Sequence, residues 1–111
     1  MANRGRGART KGAQAEREVA ELIQKHGFDA HRGKVFYHEP DVIGLDGFHI
    51  EVKRRENYYI DDWLKQSEQD AEKKQDGIPL VVFRKSRQPW RVILDFEEFL
   101  ELVRKANGTE K

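Results

Sequence analysis

In this 111-residue chain, the residues whose types and spacing could do chemistry are Asp41, Glu51 and Lys53. Nine residues separate the acids and Lys53 follows Glu51 by two, so in an extended strand Glu51, Lys53 and His49 share one face while Phe48, Ile50 and Val52 share the other. Asp46-Gly47 lies between two short β-branched, apolar runs, a strong hairpin signal that predicts a two-residue type I′ turn. Folding the first strand back brings the Asp41 carboxylate toward Glu51. Grouped acids suit a hard divalent cation, which, as Mg²⁺, keeps several waters and leans on substrate phosphate for the rest of its shell. A lysine beside them can position an attacking water and offset charge on a phosphate. That is the chemistry of phosphodiester hydrolysis. The plain alternative is a hairpin whose outer face carries solvated charge.

A helix must precede this hairpin. From about Lys11 to His26, Ala15, Val19, Leu22 and Ile23 recur at helical spacing, and Gly27 stands as the stop. Glu16 falls about 60° from the centre of that apolar stripe and Arg17 nearly opposite, so Glu16 is the acid turned toward the body. Phe28 to Arg32 predicts a short strand, and Gly33 to Glu39 a loop that carries Lys34, Phe36, Tyr37 and His38 to the Pro40-Asp41 pair. Packing is the favoured reading for at least one of those two aromatics. After the hairpin, Arg54 and Arg55 extend the positive face. Ile60 to about Lys74 reads as a polar helix with Trp63, Leu64, Ser67 and Ala71 inward and Gln66, a possible substrate contact, at the rim. Pro79 to Arg84 is nearly all apolar, as in a buried central strand. Trp90 to Leu94 is a further strand, and Asp95 caps a last helix whose apolar face is Phe96, Phe99, Leu100 and Val103. The order predicts an α/β fold: one small domain with a central mixed sheet of about five strands flanked by helices.

Length allows one domain and no second. Residues 1–10 read as a flexible basic arm, 11–106 as the folded domain and 107–111 as a fraying tail. Net charge is only +1, but Arg4, Arg6, Arg9 and Lys11 come with no acid among the first twelve residues, an asymmetry that suits a polyanionic partner. Cysteine is absent, which excludes disulfides and thiolate metal sites. His26, His31, His38 and His49 lack a paired helical spacing and read as packing or surface residues. With no apolar run of membrane length, the expectation is an intracellular, cytoplasmic protein without a membrane partner.

The Pro40-Asp41, Glu51-Val52-Lys53 spacing resembles the PD-(D/E)XK nuclease superfamily. Lys11-Gly12-Ala13-Gln14-Ala15-Glu16-Arg17-Glu18, His26-Gly27-Phe28, Arg32, Ile50-Glu51-Val52-Lys53 and Gly77-Ile78-Pro79 extend the likeness, from about Lys11 to Val103, to archaeal-type Holliday junction resolvases and their bacteriophage relatives. The resemblance implies a restriction-endonuclease-like domain and a homodimer that makes paired nicks in a four-way DNA junction. It implies Mg²⁺, with Mn²⁺ as substitute, and no small-molecule cofactor. By position, Glu16, Asp41 and Glu51, with the Val52 carbonyl, correspond to the metal-binding groups and Lys53 to the catalytic lysine. Arg17 and Arg32 match basic residues that engage DNA; Arg4, Arg6, Arg9, Lys11, Lys34, Arg54 and Arg55 are further candidates for backbone phosphates. The Gly33 to Glu39 loop lacks the serine of archaeal members, and the stretch from Arg84 to Trp90 looks closer to phage-type ones, in keeping with a phage origin. Competing readings are a same-fold nuclease for flaps, mismatches or duplex, an inactive DNA-binding module, and a basic-tailed scaffold.

Overall fold

A computed structural model describes residues 3–108, with side chains from Gly12 onward. Its order is α1 (Asn3–Lys25), β1 (His31–Arg32), a single 3₁₀ turn (Val35–Tyr37), β2 (Val42–Ile43), β3 (Phe48–Arg54), α2 (Ile60–Lys74), β4 (Ile78–Arg84), β5 (Arg91–Ile93) and α3 (Phe96–Ala106). The five strands form one sheet in chain order, with β3 and β4 parallel and every other neighbouring pair antiparallel. The predicted mixed α/β sheet is therefore present. The parallel pair requires a crossover, and α2 supplies it.

Ala15, Val19 and Ala20 of α1 pack with Val42, Ile50, Val52 and Leu80, while Trp63 of α2 packs with Val81 and Phe83. Because strand side chains alternate, β3 gives Ile50 and Val52 to the α1 side and leaves His49, Glu51 and Lys53 to the α2 side. The helix α2 buries Trp63, Ser67 and Ala71, the i, i+4, i+8 stripe its sequence predicts.

Three boundaries differ from the sequence expectation. The backbone is helical from Asn3, through the segment read as an arm. That segment contains no proline, and its Arg and Ala residues favour a helix against the cost of Gly5 and Gly7. The strand predicted over Phe28–Arg32 shrinks to His31–Arg32, with Phe28 exposed. The hairpin turn sits where predicted, with the Phe48 N–H donating to the Leu45 carbonyl at 3.1 Å, but it is not type I′. Of the two central turn residues only Gly47 has positive φ (87°), not Asp46, and Val42 faces Ile50.

That register decides the site. Continued, it sets Asp41 opposite Glu51 and Pro40 opposite Val52. A two-residue loop over Asp46-Gly47 would slide the pairing by one and set Asp41 against Val52, on the other face. Two glycines hold the frame. A Cβ on Gly77 would stand 2.5 Å from the Gly47 backbone, where the Ile78 N–H donates to the Gly47 carbonyl and starts the parallel ladder. A Cβ on Gly33 would meet the Pro40 carbonyl at 1.7 Å, so only glycine lets the chain before the 3₁₀ turn lie against the Pro40-Asp41 pair.

The amphipathic α3 begins as predicted, with Asp95 accepting from the N–H groups of Glu97 and Glu98. It buries none of its residues: Phe96, Phe99, Leu100 and Val103 are all exposed. No described helix is long and apolar enough to cross a membrane.

Candidate nuclease site

The first strand of the hairpin and β3 bring Asp41 and Glu51 together. The Asp41 N–H donates to Glu51 Oε2 at 3.2 Å, and the Val52 N–H donates to Asp41 Oδ2 at 2.9 Å. Each acid is thus held by a backbone amide of the other's strand. In a strand, the N–H and C=O of one residue leave on the same side, so the Val52 carbonyl points toward Asp41 as well. Pro40, opposite it, has no N–H to offer, and that carbonyl has no ladder donor there. The Pro-Asp pair thereby supplies both an acid and a free carbonyl.

Burial is the largest influence on Asp41 and pushes its carboxyl up, from 3.8 to about 7. The neighbouring Glu51 charge pushes the same way, as does Glu16 more weakly, against the Val52 N–H bond and the Lys53 ammonium. Two acids with too little positive charge between them form a site that a cation would relieve. The donors are hard oxygens, which fits Mg²⁺ or Mn²⁺. Among the described residues no three His, Asp or Glu side chains form a ready ligand group. The carboxylates would therefore fill part of a shell and leave room for water and phosphate, the manner in which Mg²⁺ is bound.

Glu16 stands on the α1 side, only 16% exposed, its Oε1 accepting from Arg32 Nε at 3.0 Å. It is turned inward as its helix position predicts and is felt electrostatically by Asp41. Lys53 lies two residues beyond Glu51 on the same strand face and is half-buried. Asp41, Glu51 and His49 line a cleft of about 410 Å³ with His38, Asp70, Lys73 and Lys74, whereas Glu16 and Lys53 do not line it.

The basic candidates divide. Arg17, Lys34 and Arg55 are exposed. Arg32 is engaged by Glu16, and Arg54 by Glu18, which also binds Arg84 at 2.7 Å. These last pairs tie α1 to the ends of β3 and β4. The side chains of Arg4, Arg6, Arg9 and Lys11 lie outside the described residues. Gln66 is exposed and donates to Asp70 Oδ1 at 3.1 Å. Phe36 and Tyr37, one of which was expected to pack, are 88% and 62% exposed and meet only edge to face, because the 3₁₀ turn lifts them off the sheet.

Sequence reasoning missed three residues. Lys73 and Lys74 line the same cleft from α2, with Lys74 Nζ donating to the Tyr37 carbonyl at 3.2 Å, a position that only the crossover reveals. His49, read as packing or surface, is buried beside Glu51, with its Nδ1 2.8 Å from Asp76 Oδ1. Its alternation with Glu51 was a usable signal; Asp76, twenty-seven residues away, was not.

The profile of the family described as "Phage putative PDDEXK endonuclease" matches residues 7–111. No curated protein sequence matches the chain. Among solved structures, the 1.6 Å structure of Archaeoglobus fulgidus Hjc, a Holliday junction resolvase from an archaeal hyperthermophile, superimposes with a TM-score of 0.57. The identity is 27%, over 76% of this chain and 72% of that one.

Proposed function

Because the chain belongs to the phage PDDEXK endonuclease family, we propose that it is a divalent-metal-dependent Holliday junction resolvase that nicks four-way DNA junctions symmetrically as a homodimer. The observation that carries the chemistry is the pairing of Asp41 with Glu51, the first pushed up to about 7, with Lys53 on the same strand face. The likeness to an archaeal Holliday junction resolvase favours the branched substrate over others open to the same site.

Asp41, Glu51 and the Val52 carbonyl would hold Mg²⁺ or Mn²⁺, with Glu16 in support from α1, and a cation held there would supply a water of lowered pKa and draw charge from the scissile phosphate. Lys53 aligns the attacking water and stabilises the pentacovalent phosphate by its charge. Lys73 and Lys74 steer the phosphate backbone toward the acids from the far wall. Arg17, Lys34 and Arg55, with the basic residues at the start of α1, supply salt-dependent affinity without base readout.

The exposed apolar face of α3 supports the homodimer. Its first turn carries Glu97 and Glu98 and its last turn Lys105 and Arg104, the latter paired with Glu101 of the same helix, so an antiparallel pair of α3 helices sets Glu97 and Glu98 near Lys105 and buries four apolar side chains from each copy. Two sites held at a fixed separation then account for a preference for branched DNA.

The deciding experiment compares an immobile four-way junction with a linear duplex of equal length, with Mg²⁺ or EDTA, for wild type and Asp41→Asn. Paired metal-dependent nicks in the junction alone, lost in the variant, are expected. Equal cutting of both substrates would remove the junction selectivity and leave a duplex nuclease, and no cutting by folded wild type would remove the activity.

A further inference from the structure

His49 is a polar side chain at the floor of the acidic cleft that the hydrolytic chemistry does not use. It is 2% exposed, and its two ring nitrogens face two different carboxylates. Nδ1 lies 2.8 Å from Asp76 Oδ1, and Nε2 lies 3.9 Å from Glu51 Oε1. Among the described residues Nε2 has no hydrogen-bond partner, although it is shut off from solvent. A buried ring nitrogen left this way is destabilising, so its direction toward Glu51 needs a reason.

The frame around the ring is rigid. Asp76 directly precedes Gly77, whose contact with Gly47 locks the start of β4 to the start of β3, so the carboxylate that anchors Nδ1 is fixed relative to the strand that carries both His49 and Glu51. Glu51 itself has one oxygen engaged, Oε2 by the Asp41 N–H, and the other, Oε1, turned to His49. A ring anchored on one carboxylate and aimed at another, which in turn holds a cation, repeats the arrangement by which outer groups orient the side chains that bind metals.

We propose that His49, anchored by Asp76, is a positioning residue: through Nε2 it fixes the Glu51 carboxylate in the orientation that cation binding and phosphate cleavage require. The inference rests on the endonuclease reading of the site. Flanked by two carboxylates, the ring donates through an N–H at each nitrogen; a small rotation of Glu51 brings Oε1 within hydrogen-bond distance of the Nε2–H, and Oε2, which accepts from the Asp41 N–H, keeps a lone pair for the cation.

Two substitutions of similar bulk separate positioning from packing. An asparagine amide reaches about as far as Nδ1, so His49→Asn keeps the bond to Asp76 and loses the reach to Glu51. A glutamine amide reaches about as far as Nε2, so His49→Gln keeps a donor for Glu51. Mn²⁺ titration of the DNA-free protein by calorimetry is the direct readout, with thermal melting as the folding control and the KM for Mg²⁺ against kcat on junction DNA as the kinetic one. His49→Asn is expected to weaken Mn²⁺ binding by about 10- to 100-fold and His49→Gln by about threefold or less, with melting temperatures close to each other. Asp76→Ala, at a side chain 27% exposed, removes the acceptor that anchors Nδ1 without disturbing the core and should weaken binding about tenfold. Equal Mn²⁺ affinity in His49→Asn and His49→Gln, or an unchanged affinity in Asp76→Ala, overturns the positioning role while leaving the endonuclease reading intact. Absence of Mn²⁺ binding by wild type removes the metal site and the inference with it.

Discussion

Asp41 sits where folding opposes its charge, so replacing it should make the protein more stable as it makes it inactive. The carboxyl holds its proton more tightly in the folded chain, with its pKa raised from 3.8 to about 7 chiefly by burial and by Glu51. The folded state therefore binds more protons between these values, and stability falls as pH rises from 3.8 toward 7; above 7 the whole cost is present. At about 1.4 kcal/mol per pH unit that cost is about 4 kcal/mol at pH 8 and about 1–2 kcal/mol at pH 5. Asparagine removes it and still accepts the Val52 N–H, but as a neutral acceptor, which gives back about 1 kcal/mol. Asp41→Asn should thus be about 2–3 kcal/mol more stable than wild type at pH 8, a rise in melting temperature of about 8–15 °C, and nearly equal to it at pH 5. Magnesium acts on wild type alone. At ten times its dissociation constant it returns about 1.4 kcal/mol, so the gap at pH 8 should shrink by about half. Thermal melts by circular dichroism at both pH values, in EDTA and in Mg²⁺, test all of this. A variant that melts at or below wild type at pH 8 in EDTA, or a gap independent of pH, would refute the account of the acid pair as a strained site waiting for a cation.

Other consequences are simpler to measure. Lys53→Ala should lower the single-turnover nicking rate by about 10²- to 10³-fold while Mn²⁺ binding by calorimetry stays near that of wild type, since the lysine offsets charge that develops only on the reacting phosphate. Phe99→Glu, on the exposed face of α3, should convert a dimer to a monomer in sedimentation and replace paired nicks by single ones; a dimer that persists would place the seam elsewhere. Glu18→Ala leaves Arg54 and Arg84, 19% and 13% exposed, without their shared carboxylate, and should cost about 1–3 kcal/mol in urea unfolding.

What could be read in the chain beforehand follows from the range of the interactions involved. The α1 stripe, the Gly27 stop, the apolar β4 and the Asp95 cap are local patterns, set by neighbours within a few residues. The pairing of Asp41 with Glu51 was also legible, yet through a turn of the wrong type. With Asp46 and Gly47 alone in the loop, Asp41 would have fallen opposite Val52 and faced away from Glu51. What corrects the register is non-local: Gly77 presses on Gly47 from the other side of the crossover and Gly33 presses on Pro40, so the loop opens by one residue and Val42 meets Ile50. The same contacts place Asp76 beside His49 and bring Lys73 and Lys74 to the cleft that Asp41 and Glu51 line. Those groups carry no signature in the sequence because their spacing reflects the length of α2, fifteen residues chosen to bridge two parallel strands. Asp41, just before β2, and Glu51, on β3, face each other, but the two lysines of the cleft and the carboxylate beside His49 arrive with the return of α2, and a change in the length of that helix would move all three together.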